Sequence, residues 1–241
     1  MNKLYIILFI VLFIFVLYYI RIFTIICNSE PEYYEYSGKN IGPTLLIIGS
    51  THGNERGEYI GIKNFMNKLN NQEIVLNRGK IIFVPLVNYC GYKIRERKNP
   101  ILGDINRLYS DEPNINEINN LIIKLVKQAD FIIDIHESYN FNKNNTHTLG
   151  STINPVDTKL SKEFSELLKK NLNSVIFDEN KKYNINFRKE EKGSLREYAG
   201  KYTNYVLVEI QGGINNPQPL NIILNHNNII IENIVKYLNL I

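Results

Sequence analysis

The stretch "TLLIIGSTHGNERGEYIGIKNFMNKL", residues 44–69, changes character halfway along. Its opening, "TLLIIGS", is a short continuous apolar run, the pattern of a strand buried on both faces, whereas "ERGEYIGIKNFMNKL" spaces its apolar residues at helical intervals. The same alternation continues with the strand-like "KIIFVPLV" (80–87), the helix-like "NINEINNLIIKLVKQ" (114–128) and the strand-like "DFIIDIH" (130–136). It resumes with the helix-like "TKLSKEFSELLKKNL" (158–172), a short helix in "GSLREYAGKY" (193–202), the strand-like "YVLVEIQGG" (205–213) and a last helix from about Ile222 to Leu240. Such alternation predicts an α/β fold, a helix-sheet-helix sandwich around a mixed, mostly parallel sheet. Ligands of these sheets gather outside the carboxyl ends of the strands. The chemical residues should therefore sit just past the apolar runs, and His52, His136 and Glu209 do.

His52 and Glu55 are three positions apart, so a first helical turn at Glu55 would let both side chains converge on one point, with Gly53 allowing a sharp turn between them. A catalytic zinc takes three protein ligands from imidazole nitrogens and carboxylate oxygens and keeps one position open. The pair alone also reads as a polar strand-to-helix turn in which Glu55 favours the helix N-terminus. A third ligand would have to be His136, His147 or His226. His136 is the best placed, because a strand end holds it and Asp134, two residues back on the same strand face, can orient its ring. The sequence lacks His-Glu-x-x-His, Gly-x-Ser-x-Gly, a phosphate-cradling Gly-Lys-Ser/Thr loop and Pro-Cys-x-x-Cys.

The chain has 241 residues, 44% of them hydrophobic and 22% charged, enough for one globular domain with its own core. Its net charge of +4 is spread among mixed signs, which argues against nucleic acid as a partner. Two cysteines, Cys27 and Cys90, exclude a disulfide framework or a cysteine-based zinc site and leave the redox compartment open. "LYIILFIVLFIFVLYYI" (4–20) carries no charge and, after Arg21, "IFTIIC" extends the apolar stretch to Cys27. Residues 1–27 thus read as an uncleaved N-terminal membrane anchor. A signal peptide is the competitor, but its apolar centre is usually shorter and ends in small residues. Lys3 before the span, with Arg21 and then Glu30, Glu32 and Glu35 after it, biases the N-terminus toward the cytoplasm and the domain toward the lumenal or extracytoplasmic side. The acceptor pattern Asn144-Asn145-Thr146 is compatible with that side. Residues 28–43 read as a linker and residues 44–241 as the folded domain.

Taken in order, "HGNE", "PLVNYCGY", "RERKNPILGDINRLY", "DIHES", "THTLGSTI" and "VEIQG" resemble the zinc carboxypeptidase superfamily, especially its succinylglutamate desuccinylase and aspartoacylase-like branch. The resemblance spans about residues 44 to 213. It implies one Zn2+ held by His52, Glu55 and His136, with Glu209 as general base and acid. It also implies a substrate carboxylate held by Asn106 and Arg107, and a scissile carbonyl polarised by Arg97, with Arg95 as substitute. Tyr198 is a candidate for the substrate-contacting tyrosine of carboxypeptidases, and Arg188 and Arg196 could assist a carboxylate or lie on the surface. Aspartoacylase-like members carry a further β-rich C-terminal part, whereas a helix follows soon after Gly213 here, so a differently built or more open pocket is expected.

The function these readings imply is a membrane-anchored zinc amidohydrolase acting next to a free carboxylate, releasing a C-terminal amino acid from a small peptide. An N-acyl-amino-acid deacylase shares the same metal chemistry and stays open. A catalytically silent membrane-tethered binding module is the reading from another class.

Overall fold

The computed structural model describes residues 3–112, 116–141, 149–187, 191–212 and 218–241. Asn144, His147, Arg188 and Gly213 lie outside the described residues.

Seven strands form one sheet in the order β1-β3-β2-β4-β7-β5-β6. The four central strands, β3 (Arg78–Val84), β2 (Asn40–Ile48), β4 (Phe131–Ser138) and β7 (Asn204–Gln211), run parallel. At one edge β1 (Tyr34–Ser37) pairs antiparallel with β3. Beyond β7, β5 (Thr152–Pro155) is antiparallel to it and carries β6 (Asn184–Ile185) in parallel. The mixed, mostly parallel sheet is the one expected.

Successive side chains of a strand point to opposite faces, and both faces here are covered. Leu45, Ile47, Ile133 and Val208 pack with α2 (Gly57–Asn70), α5 (Lys159–Asn173) and α7 (Leu220–Tyr237) in one core. Leu46, Ile48, Ile132 and Leu207 pack with α4 (Glu117–Val126) and α6 (Leu195–Ala199) in the other. Helix starts follow their caps: Asn116, Thr158 and Ser194 accept from Asn119 N, Ser161 N and Glu197 N, satisfying otherwise orphaned first-turn donors.

One part of the sequence reading needs correction, and two features were not anticipated by it. Residues 28–43 are not a plain linker, because Tyr34–Ser37 is the edge strand β1 and β2 already begins at Asn40. The segment after β3 contains a short helix, α3 (Tyr89–Ile94), capped by Asn88. The two cysteines, too few for a framework, form one disulfide, Cys27–Cys90, with Cα atoms 5.4 Å apart. That bond ties the end of α1 (Lys3–Cys27) to α3. From Tyr5 to Cys27, α1 is long and apolar enough to cross a bilayer by length and composition, and its side chains are mostly exposed.

His226 is buried on α7 with its Nδ1 3.0 Å from the Tyr183 hydroxyl, a place in the core away from the His52-Glu55-His136 cluster. Burial holds its pKa down to about 4, below the ordinary 6.5. Between those values an unfolded chain takes up a proton that the folded chain refuses. The stability present above pH 6.5 is therefore lost as pH falls toward 4, on the order of 3 kcal/mol. Urea unfolding of wild type and His226→Gln should show a gap that changes by that order between pH 7.5 and 4.5. A gap that stays constant would contradict the assignment.

Candidate metal centre and cleft

The turn after β2 builds the centre. Ser50, at φ +50, sends its Oγ to the Glu55 carbonyl at 2.9 Å, and its N–H donates to the Glu58 carboxyl beneath. Glu58 is fully buried and its pKa is raised well above the ordinary value, by burial first and then by Glu55. Glu55 lies before α2 rather than in its first turn, in a bend closed by Glu55 N donating to His52 O at 3.2 Å. Gly53 is required for close approach: a Cβ there would come within 1.9 Å of Gly91 C on α3. The Gly53 N–H also donates to Arg97 O at 3.2 Å, which presses the turn against the loop after α3.

His52 Nδ1 stands 2.8 Å from Glu55 Oε1 and 3.2 Å from His136 Nδ1, and His136 Nδ1 stands 2.9 Å from Glu55 Oε2. All three residues are buried. Two imidazole nitrogens facing each other beside a carboxylate are donors arranged for a shared cation. Tetrahedral zinc with bonds of about 2.0–2.1 Å keeps its ligand atoms roughly 3.3 Å apart, close to these separations. The residues therefore fit one metal ion.

Each ring is oriented from behind. His136 Nε2 lies 3.2 Å from Asp134 Oδ2, and that oxygen also accepts from the Tyr205 hydroxyl at 2.6 Å. His52 Nε2 lies 3.4 Å from Asp104 Oδ1. Burial opposes charge on both rings, but Asp134 and Glu55 raise the His136 pKa well above its ordinary value, and Glu55 and Asp104 raise that of His52. Burial also opposes charge on Glu55, yet His52 and His136 hold its pKa far below the usual carboxylate range. Asp104, the first residue of "DINR", was not singled out in the sequence; its spacing to His52 gives no clue to their contact.

A cleft of about 260 Å³ opens over these residues, lined also by Glu209, Arg97, Asn106 and Arg107. Glu209 sits directly across from His136 in the β4–β7 register. Arg97 Nη1 is 3.2 Å from His52 Nδ1 and 3.6 Å from Glu55 Oε1, and its Nη2 is 3.4 Å from Asp104 Oδ2. Asn106 Oδ1 accepts from Leu195 N at 2.8 Å, which leaves the NH2 end of that amide as a donor. Arg107 donates through Nη1 to Asn106 O at 2.6 Å and pairs through Nη2 with Glu191. Arg196, left open in the sequence, is buried, lines the cleft and donates to Pro155 O at 2.7 Å.

Two candidates fall elsewhere. Tyr198 is buried in the core between Tyr109 and Tyr202, while Tyr139, just past β4, lines the cleft. Arg95 is exposed at the left-handed cap of α3, at φ 61, and is not among the cleft residues.

A mixed α/β sheet whose strand ends carry a buried His-Glu-His cluster defines the zinc carboxypeptidase-like class. Within it, the chain belongs to the succinylglutamate desuccinylase/aspartoacylase catalytic domain family, whose pattern matches residues 41–200. A curated relative, N-alpha-acetyl-L-2,4-diaminobutyric acid deacetylase of Halomonas elongata, is 26% identical over 100 residues, 39% of this chain and 28% of its own. Among solved structures, apo Csd4, a cell shape determinant protein of Helicobacter pylori, aligns with TM-score 0.73 and 16% identity over 88% of this chain and 55% of that one. A succinylglutamate desuccinylase/aspartoacylase from Rhodobacter sphaeroides aligns with TM-score 0.65 and 18% identity over 88% and 60%. The chain thus spans little more than half of these neighbours and under a third of the deacetylase.

Proposed function

We propose that this protein is a zinc-dependent amidohydrolase that cleaves an amide bond next to a free carboxylate. The observation that carries the reading is the convergence of His52, Glu55 and His136 in one cleft with Glu209, Arg97, Asn106 and Arg107. Bound by the three ligands, zinc would supply Lewis acidity and bring the pKa of a water toward about 7. Glu209 takes the proton of the attacking water and returns it to the leaving nitrogen. Arg97 offers a guanidinium to the oxygen on which charge develops. Arg107, with the NH2 of Asn106, grips the substrate carboxylate as a planar fork that Lys cannot imitate. In doing so the carboxylate takes the place that Glu191 holds on Arg107.

Two substrate classes share this chemistry. A small peptide losing its C-terminal residue is the first reading, in keeping with the fold neighbour Csd4, described as a D,L-carboxypeptidase in its mDAP-bound form. An N-acyl amino acid is the second, favoured by the family match and the deacetylase relative. The test is a mass-spectrometric panel of peptides and N-acyl amino acids with free carboxylates, using full-length zinc-loaded protein. Release of a C-terminal amino acid selects the peptidase and release of an acyl group alone selects the deacylase. No turnover by zinc-loaded protein contradicts both and leaves a silent binding module.

We further infer that α1 is a membrane anchor and that the domain lies on the extracytoplasmic side. The Cys27–Cys90 bond supports that side, because such bonds persist in oxidising compartments and are rare in the cytosol. Alkylation of the protein in its native membranes should label neither cysteine before reduction and both after it. Free thiols in unreduced membranes would contradict the placement.

A further inference from the structure

The loop that follows Cys90 does two jobs. Its backbone braces the metal-binding turn through Arg97 O, and its Arg97 side chain lines the cleft. Tyr92 packs against Tyr59 and Arg56 and Asn99 is buried, whereas several of the large side chains of residues 89–101 face outward. Tyr89, Ile94 and Ile101 are 46%, 50% and 42% exposed although large and apolar. Between them, "KIRERK" (93–98) sets four cations, Lys93, Arg95, Arg97 and Lys98, against one carboxylate, Glu96. Apolar and aromatic side chains interleaved with basic ones are the composition of a surface that sits in the headgroup layer of a bilayer.

The position of this loop is fixed twice to the end of the apolar helix. Cys90 is bonded to Cys27, and Asn99 Nδ2 donates to Cys27 O at 2.8 Å, a buried contact. Where α1 leaves a membrane, residues 89–101 therefore lie beside the exit point, held there at Cys90 and Asn99. Phe23, Ile25 and Ile26, in the last turns of α1, are exposed beside it. Glu30 and Glu32, exposed just past the helix, are the acids nearest in sequence.

We propose that residues 89–101 form a membrane-docking surface, with Tyr89, Ile94 and Ile101 entering the interface of the bilayer and Lys93, Arg95 and Lys98 facing anionic headgroups. This rests on the reading of α1 as an anchor and not on the hydrolytic reading. The cleft wall and the membrane contact then share one loop, which holds the cleft beside the lipid surface and suits substrates displayed close to it.

The chain contains no tryptophan, so one introduced indole reports without background. Full-length Ile94→Trp, with Ile101→Trp as a second probe, would be reconstituted in phosphatidylcholine vesicles carrying brominated acyl chains, with and without phosphatidylglycerol. Phe177→Trp, at a position 98% exposed on the connection leading to the opposite edge of the sheet, serves as the water-facing control. The expected result is blue-shifted emission and quenching several-fold above the control for both loop probes, stronger with phosphatidylglycerol. Protein that floats with the vesicles while both loop probes match Phe177→Trp overturns the docking surface and leaves the anchor standing. Protein that fails to float overturns both, and zinc content or turnover decides neither outcome.

Discussion

Glu209→Gln is expected to keep its zinc and lose turnover by about 10²- to 10⁴-fold, the contribution of a positioned acid-base group. Glu209 is placed for the role by the sheet itself. It lies opposite His136 in register and is mostly buried at the cleft wall, a place from which the proposed base would take a proton beside the metal ligands. Gln fills the same volume but cannot accept that proton. Metal content and thermal stability of the variant should match wild type, which separates lost chemistry from lost structure. Turnover near the wild-type value would remove Glu209 from the mechanism.

Arg107→Ala is expected to lower kcat/KM by about 10- to 10²-fold on substrates with a free carboxylate, the range of a hydrogen bond to a charged group. The same substitution should matter little for an amidated analogue, which offers nothing for the guanidinium to grip. Arg107→Lys should recover only part of the loss, because an ammonium cannot form two parallel bonds to one carboxylate. Equal losses on acid and amide would show that Arg107 supports the fold of the loop instead.

Much of this was legible in the sequence because strand ends announce themselves. His52, His136 and Glu209 each follow a continuous apolar run, and β2, β4 and β7 bring those ends to one edge of the sheet. Asp134 behind His136 was readable for the same reason, since residues two apart share a strand face. Elements with weak patterns were not readable. β5 is four residues with Thr152 and Asn154 buried as polar groups, Asn154 donating to Thr152, so it shows no apolar run. β1 hides among tyrosines and acids in a stretch with no apolar period.

Contacts between distant loops were beyond sequence reasoning altogether. Nothing in the spacing of Cys27 and Cys90 marks them as partners, and they are brought together only because α3 folds back onto the end of α1. The Asp104–His52 contact likewise depends on the short 3-10 turn Ile105–Arg107, whose capping residue is Asp104. The role of Gly53 was anticipated as a turn and is instead a matter of room for α3.

The measurement that bears most directly on the central claim is metal stoichiometry of the purified full-length protein, wild type beside His52→Ala and His136→Ala. One zinc per chain in wild type, and a stoichiometry near zero in both variants with the fold retained by circular dichroism, is the predicted result. Wild type without stoichiometric zinc after zinc loading, or variants that bind it as wild type does, would contradict the His52-Glu55-His136 centre and the hydrolytic function built on it.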